Sequence, residues 1–127
     1  MPLETFDHVN IRTSNLDALV AWYDNVLGLK KGFRPNFPFP GAWLYLGETA
    51  IIHLVGTEAP PSPYTPGEEP RLEHFAFRAS DFEAFRATLT EHGVDYQAVE
   101  VDDIDTVAVN IRDPDGNHIH VDFFRSE

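Results

Sequence analysis

Residues with chemical potential are concentrated in the stretch Asp113-Pro114-Asp115-Gly116-Asn117-His118-Ile119-His120-Val121-Asp122-Phe123. On an extended strand Ile119, Val121 and Phe123 share one face, while His118, His120 and Asp122 share the other. Imidazoles and a carboxylate in such proximity can ligate a divalent metal or move protons near neutral pH. Three further histidines sit on alternating segments. His8 shares a face with Asn10 and Arg12, opposite Val9 and Ile11. His53 lies between Ile51 and Val55 on one parity, and His74 opposes Phe75 and Phe77. The sixth, His92, precedes Gly93 at a helix end, where a cation suits the helix dipole, and it reads as structural. There is no cysteine, so any metal must be held by nitrogen and oxygen.

The elements that carry these residues follow from periodicity. Phe6 to Arg12 alternates and predicts a strand. Ser14-Asn15-Leu16-Asp17 resembles a capping box, with Leu16, Leu19, Val20 and Tyr23 forming the apolar stripe of a helix that Gly28 ends. Short strands are predicted at Leu29–Phe33, Trp43–Leu46 and Ala50–Val55, the last two joined at Gly47-Glu48. Arg34 to Gly41, with three prolines, reads as a hairpin loop. Thr57 to Pro70 has no period and reads as a linker. Leu72–Arg78 is a strand, Ser80-Asp81-Phe82-Glu83 a second capping box, and Phe82, Phe85 and Leu89 a second stripe ending at Gly93. Strands Tyr96–Val101 and Thr106–Ile111 flank an acidic turn. In the turn before the last strand, Pro114 fixes φ, Asp115 caps locally and Gly116 accepts positive φ.

The two halves repeat. At an offset of 66, His8-Val9-Asn10-Ile11-Arg12-Thr13-Ser14 falls on His74-Phe75-Ala76-Phe77-Arg78-Ala79-Ser80, and at 67 His53 falls on His120. This predicts an α+β fold of two tandem βαβββ modules, residues 1–56 and 72–127, joined by a linker at 57–71. The helices should lie outside a curved, half-barrel-like mixed sheet whose concave cleft gathers the histidine faces. The 127 residues thus make one domain of two modules. A net charge of −12 argues against nucleic acid and anionic membrane surfaces as partners. The N-terminus has no signal-peptide pattern and no apolar run approaches spanning length, so the expectation is a cytoplasmic protein.

The chain resembles the vicinal oxygen chelate superfamily, which includes glyoxalase I, extradiol dioxygenases, fosfomycin resistance proteins and bleomycin-binding proteins. The resemblance rests on His8-Val9-Asn10-Ile11-Arg12, Trp22-Tyr23-Asp24-Asn25-Val26-Leu27-Gly28-Leu29, Glu73-His74-Phe75-Ala76-Phe77 and Asp113 to His120, and it spans the whole chain. It implies one divalent metal ion (Zn, Ni, Fe(II), Co or Mn) held by His8, His53, His74 and His120, or by His8, His74 and His120 in a dioxygenase-like arrangement. The family usually has Glu where this chain has His120, and glyoxalase I a carboxylate where it has His53, so both usual metal-bound carboxylates are replaced here.

Neutral imidazoles leave the ion its full charge and make it a stronger Lewis acid toward an anionic bidentate substrate. Asp122 and His118 are then the candidate proton-transfer groups. Arg12 and Asn10 are candidate substrate contacts, Arg12 by resemblance to glyoxalases that hold a glutathione carboxylate there. Phe37, Phe39 and Trp43 line either an aromatic substrate wall or a homodimer contact. The expected activity is glyoxalase-type lyase or isomerase chemistry on a small molecule that chelates the metal through two adjacent oxygens. The alternatives are ring-cleaving dioxygenation of a catechol and metal-free sequestration of a drug or metabolite.

Overall fold

In the computed structural model, residues 4–60 and 72–126 are described. The chain divides into two compact units, Met1–Ser62 and Pro63–Glu127. Most of the expected linker, residues 61–71, lies outside the described residues. The fold is α+β, with one βαβββ module in each unit and an open four-stranded mixed sheet in each module.

The first unit runs β1 (Val9–Thr13), α1 (Leu16–Leu27), β2 (Lys30–Gly32), β3 (Gly41–Leu46) and β4 (Thr49–Gly56), with sheet order β1-β4-β3-β2. β1 pairs parallel with β4, and the other pairs are antiparallel. One sheet face and the α1 stripe make the core. Ile52, Leu54, Ala42 and Leu44 are buried, as are Leu19, Tyr23 and Val26 of the helix. Closing such a stripe over a sheet contributes about 1.5–3 kcal/mol per large apolar side chain. Gly41 has no room for a side chain, since a Cβ there would lie 2.4 Å from the Leu54 carbonyl oxygen.

The second unit runs β5 (Phe75–Arg78), α2 (Phe82–Glu91), β6 (Gln97–Val101), β7 (Thr106–Arg112) and β8 (His118–Phe124), in order β5-β8-β7-β6. Its parallel pair is β5 with β8, the equivalent of β1 with β4. Ile119, Val121, Phe123, Val107, Val109 and Ile111 fill its core. α2 buries only Leu89 and meets the sheet through Phe82 and Phe85 against Phe123, with ring centroids 5.5 and 5.7 Å apart.

Three local readings are corrected. α1 starts after Asn15, not from a Ser14 cap, and the Asn15 N–H is held by Thr13 Oγ1. α2 is capped by Asp81, not Ser80; the Asp81 carboxylate accepts from the Ala84 N–H at 3.1 Å. Asp81 sits at φ 65°, a left-handed conformation that the short, locally bonding Asp tolerates better than most residues. In the turn before β8 the capping group is Asp113. Its buried carboxylate accepts from the N–H groups of Asp115 and Asn117 and from the Asn117 amide, at 3.0, 2.9 and 2.8 Å. Gly116 takes the expected positive φ, at 87°. Some strands are shorter than their alternation suggests: β1 begins at Val9 and β5 at Phe75, each one residue after a histidine.

Candidate metal-binding site

Each sheet carries its histidines on the face opposite the apolar core. In the first unit register places Asn10 beside His53 across the β1–β4 pair and Trp43 beside His53 across β3–β4. His8 and His53 stack at a 3.7 Å centroid distance and 10°, and Trp43 stacks on the other face of His53 at 3.9 Å and 11°. His53 is therefore enclosed between two rings, and its Nε2–H donates to the Ala50 carbonyl at 3.1 Å. Burial, and then the neighbouring His8, lower its pKa below the ordinary histidine value.

The second unit repeats the pair. His74 and His120 stack at 4.0 Å and 7°. The residue opposite His120 on β7 is Asn110, at the position that Trp43 holds in the first unit. A third imidazole, His118, lies on the same face, and the ligating atoms of His74, His118 and His120 all come within 4.8 Å of one another. Burial, and then His74, lower the pKa of His120, which favours a neutral ring able to ligate. Arg12 and Asn10 are exposed on β1. Phe37 and Phe39 stack at 5.4 Å, Phe37 lies 6.3 Å from Trp43, and the Arg34 guanidinium sits 5.0 Å from each phenyl ring.

Two carboxylates absent from the sequence-based candidates complete the geometry. Asp7 Oδ2 lies 2.6 Å from His8 Nδ1, and Glu73 Oε2 lies 2.7 Å from His74 Nδ1. Glu73 Oε2 also accepts from His118 Nδ1 at 2.8 Å. These bonds hold the exposed Glu73 carboxyl below its usual pKa, His74 contributing most. The signal was present in the repeat, since an acid precedes the first histidine of both halves. Strict alternation hides it by sending neighbours to opposite faces. Here both histidines precede the first strand residue, so the acid and the ring can meet. Asn110, which accepts from His118 Nε2 at 2.8 Å, was equally unremarked. Among the described residues Asp122 Oδ1 is buried without a hydrogen-bond partner, 3.9 Å from His120 Nδ1. The acidic turn between β6 and β7 is exposed and bridged by Arg125, which meets Asp102 at 2.8 Å and Asp105 at 3.4 Å.

A donor set of imidazoles backed by carboxylates fits a divalent transition metal. Neutral nitrogen suits Zn, Ni, Co and Fe(II), and a carboxylate on Nδ1 fixes the tautomer that presents Nε2.

The family model described as Glyoxalase/Bleomycin resistance protein/Dioxygenase superfamily matches residues 5–121, and the chain belongs to that superfamily. A glyoxylase/bleomycin resistance protein/dioxygenase domain from Frankia sp. EAN1pec is similar over 97% of this chain and 99% of its own, with 20% identity and a TM-score of 0.78. Lactoylglutathione lyase from Agrobacterium tumefaciens is similar over 97% and 96%, with 20% identity and a TM-score of 0.71. A genomically encoded fosfomycin resistance protein from Listeria monocytogenes is similar over 95% and 93%, with 10% identity and a TM-score of 0.72. At these identities the likeness concerns the fold. No curated protein sequence matches the chain. Among the described residues no helix is long and apolar enough to cross a membrane.

Proposed function

We propose that this chain is a metal-dependent enzyme of glyoxalase type, performing lyase or isomerase chemistry on a small molecule with two adjacent oxygens. The observation that carries the reading is the His74–His120 pair, backed by Glu73 and repeated as His8–His53 backed by Asp7. His74 and His120 are the proposed ligands in the second unit, and their repeat equivalents His8 and His53 are the corresponding candidate pair in the first. The ion, one of Zn, Ni, Co, Fe(II) or Mn, would act as a Lewis acid that stabilises negative charge on a chelating substrate.

The rest of the chemistry falls to the chain. Asp122 accepts a proton at Oδ1, the oxygen without a hydrogen-bond partner among the described residues. His118, engaged at both ring nitrogens, is the weaker candidate for that transfer. Within the first unit, Arg12 and Asn10 are the proposed polar contacts for a substrate, and Phe37, Phe39 and Trp43 the proposed aromatic wall. A small-molecule substrate, a homodimer and a cytoplasmic setting belong to the same reading.

One observation favours a metal-free binding protein instead: the closed Trp43–His53–His8 stack, whose flat rings suit a planar ligand. Reconstitution with each metal followed by hemithioacetal turnover separates the two. Turnover that rises with zinc or nickel and falls at least about 100-fold in Asp122→Asn supports the enzyme. No turnover with any metal, together with tight binding of a planar ligand by the metal-free chain, supports the alternative.

A further inference from the structure

The two units share a scaffold but are not chemically equivalent. At the repeat offset His118 corresponds to Ile51, Asp122 to Val55 and Asn110 to Trp43. The first unit therefore has two histidines, one of them enclosed between rings with its Nε2 spent on Ala50. The second gathers three histidines on the site face, two of them sharing the Glu73 carboxylate, and a carboxylate oxygen without a hydrogen-bond partner among the described residues beside the third.

We propose that His118 is the third protein ligand of the metal centre, so that His74, His118 and His120 hold the ion within the second unit. The inference rests on the metal reading above and concerns which imidazole completes it. Glu73 Oε2 accepts from Nδ1 of both His74 and His118, at 2.7 and 2.8 Å. One carboxylate thus holds the Nδ1–H of both rings, which leaves Nε2 of His74 to ligate and, once its bond to Asn110 is displaced, Nε2 of His118 as well. Asp122 faces Nδ1 of His120 at 3.9 Å with an oxygen that has no other partner among the described residues. A small turn of the His120 ring completes that bond and frees its Nε2 in the same way. Three imidazoles, two with a carboxylate bonded at Nδ1 and the third with one 3.9 Å away, leave open positions for a bidentate substrate, as catalytic sites require.

The contact between Asn110 and His118 marks the competing state. The Asn110 amide N–H groups donate to the Gln97 and Ala108 carbonyls at 3.3 and 3.2 Å, which aims its oxygen at His118 Nε2. A metal must displace that bond and one proton. Asn110 thereby opposes ligation by His118.

The test is a titration of the chelator-stripped full-length chain with Zn2+ against a chromophoric competitor. His118→Ala and His74→Ala should each lose at least about 100-fold in affinity, His8→Ala should lose far less than His74→Ala, and His92→Ala should stay within about threefold of the parent. Asn110→Ala should bind about fivefold tighter, because a competing hydrogen bond is gone. This gain cannot come from misfolding. Wild-type affinity in His118→Ala, or a loss in His8→Ala equal to that in His74→Ala, overturns the inference and leaves the enzymatic reading standing. Loss in His118→Ala without hemithioacetal turnover by the zinc-loaded parent leaves the ligand set standing and removes the lyase. No zinc binding by the parent overturns both.

Discussion

Replacing Asp113 by Ala tests how the turn delivers β8, and with it His118, His120 and Asp122, to the site. Asp113 is 4% exposed, and its carboxylate receives three hydrogen bonds from Asp115 and Asn117. Each hydrogen bond to a charged group contributes about 1.5–3 kcal/mol, but bonds sharing one acceptor do not add fully. We expect about 3 kcal/mol of lost stability, including the cost of two backbone N–H groups left without their acceptor. Asp113→Asn keeps an oxygen for both N–H groups and loses only the bond to the Asn117 amide, so about 1 kcal/mol is expected. Urea unfolding followed by far-ultraviolet circular dichroism reads both, and at ordinary slopes 3 kcal/mol moves the midpoint by roughly 1.5 M. An Asp113→Ala midpoint within about 0.3 M of wild type, or an Asn variant no better than Ala, would refute the reasoning.

Other outcomes follow from the same geometry. Gly41→Ala should cost about 2 kcal/mol, because the new methyl meets the Leu54 carbonyl oxygen at 2.4 Å; an unchanged urea midpoint would contradict it. Leu19→Ala empties a fully buried position under α1 and should cost about 3–4 kcal/mol, read by the same unfolding curve. His53 and His120 have pKa values below that of the unfolded chain, so the unfolded state takes up protons first as pH falls. Their contribution is fully present above about pH 6.5 and diminishes below it, and His53→Gln should flatten the fall in stability between about pH 7 and 5.5. A slope identical in the variant would show that burial of His53 does not shape the profile.

Much of the fold could be read from alternation and from the repeat. β8 buries Ile119, Val121 and Phe123 and presents His118, His120 and Asp122, as period two requires. The offset that matched His8 with His74 and His53 with His120 matches two stacked imidazole pairs. What escaped the sequence depends on departures from regularity. Glu73 reaches His74 because that histidine lies before β5 begins. Asp81 rather than Ser80 caps α2 because a left-handed Asp reaches the Ala84 N–H. Arg125 lies far in sequence from the acids it pairs with, and the turn at Asp102–Ile104 brings them around it. The asymmetry of the units was written in Ile51 and Val55, but it has chemical meaning only once His118, Glu73 and Asp122 are seen to surround one imidazole pair.

The most direct test of the central claim is the metal content of the purified chain after reconstitution and removal of loose ions, measured by elemental analysis beside His74→Ala. The account predicts about one equivalent of a divalent transition metal in the parent and less than about a tenth in the variant. Less than about a tenth of an equivalent in the parent, or full occupancy in His74→Ala, would contradict it.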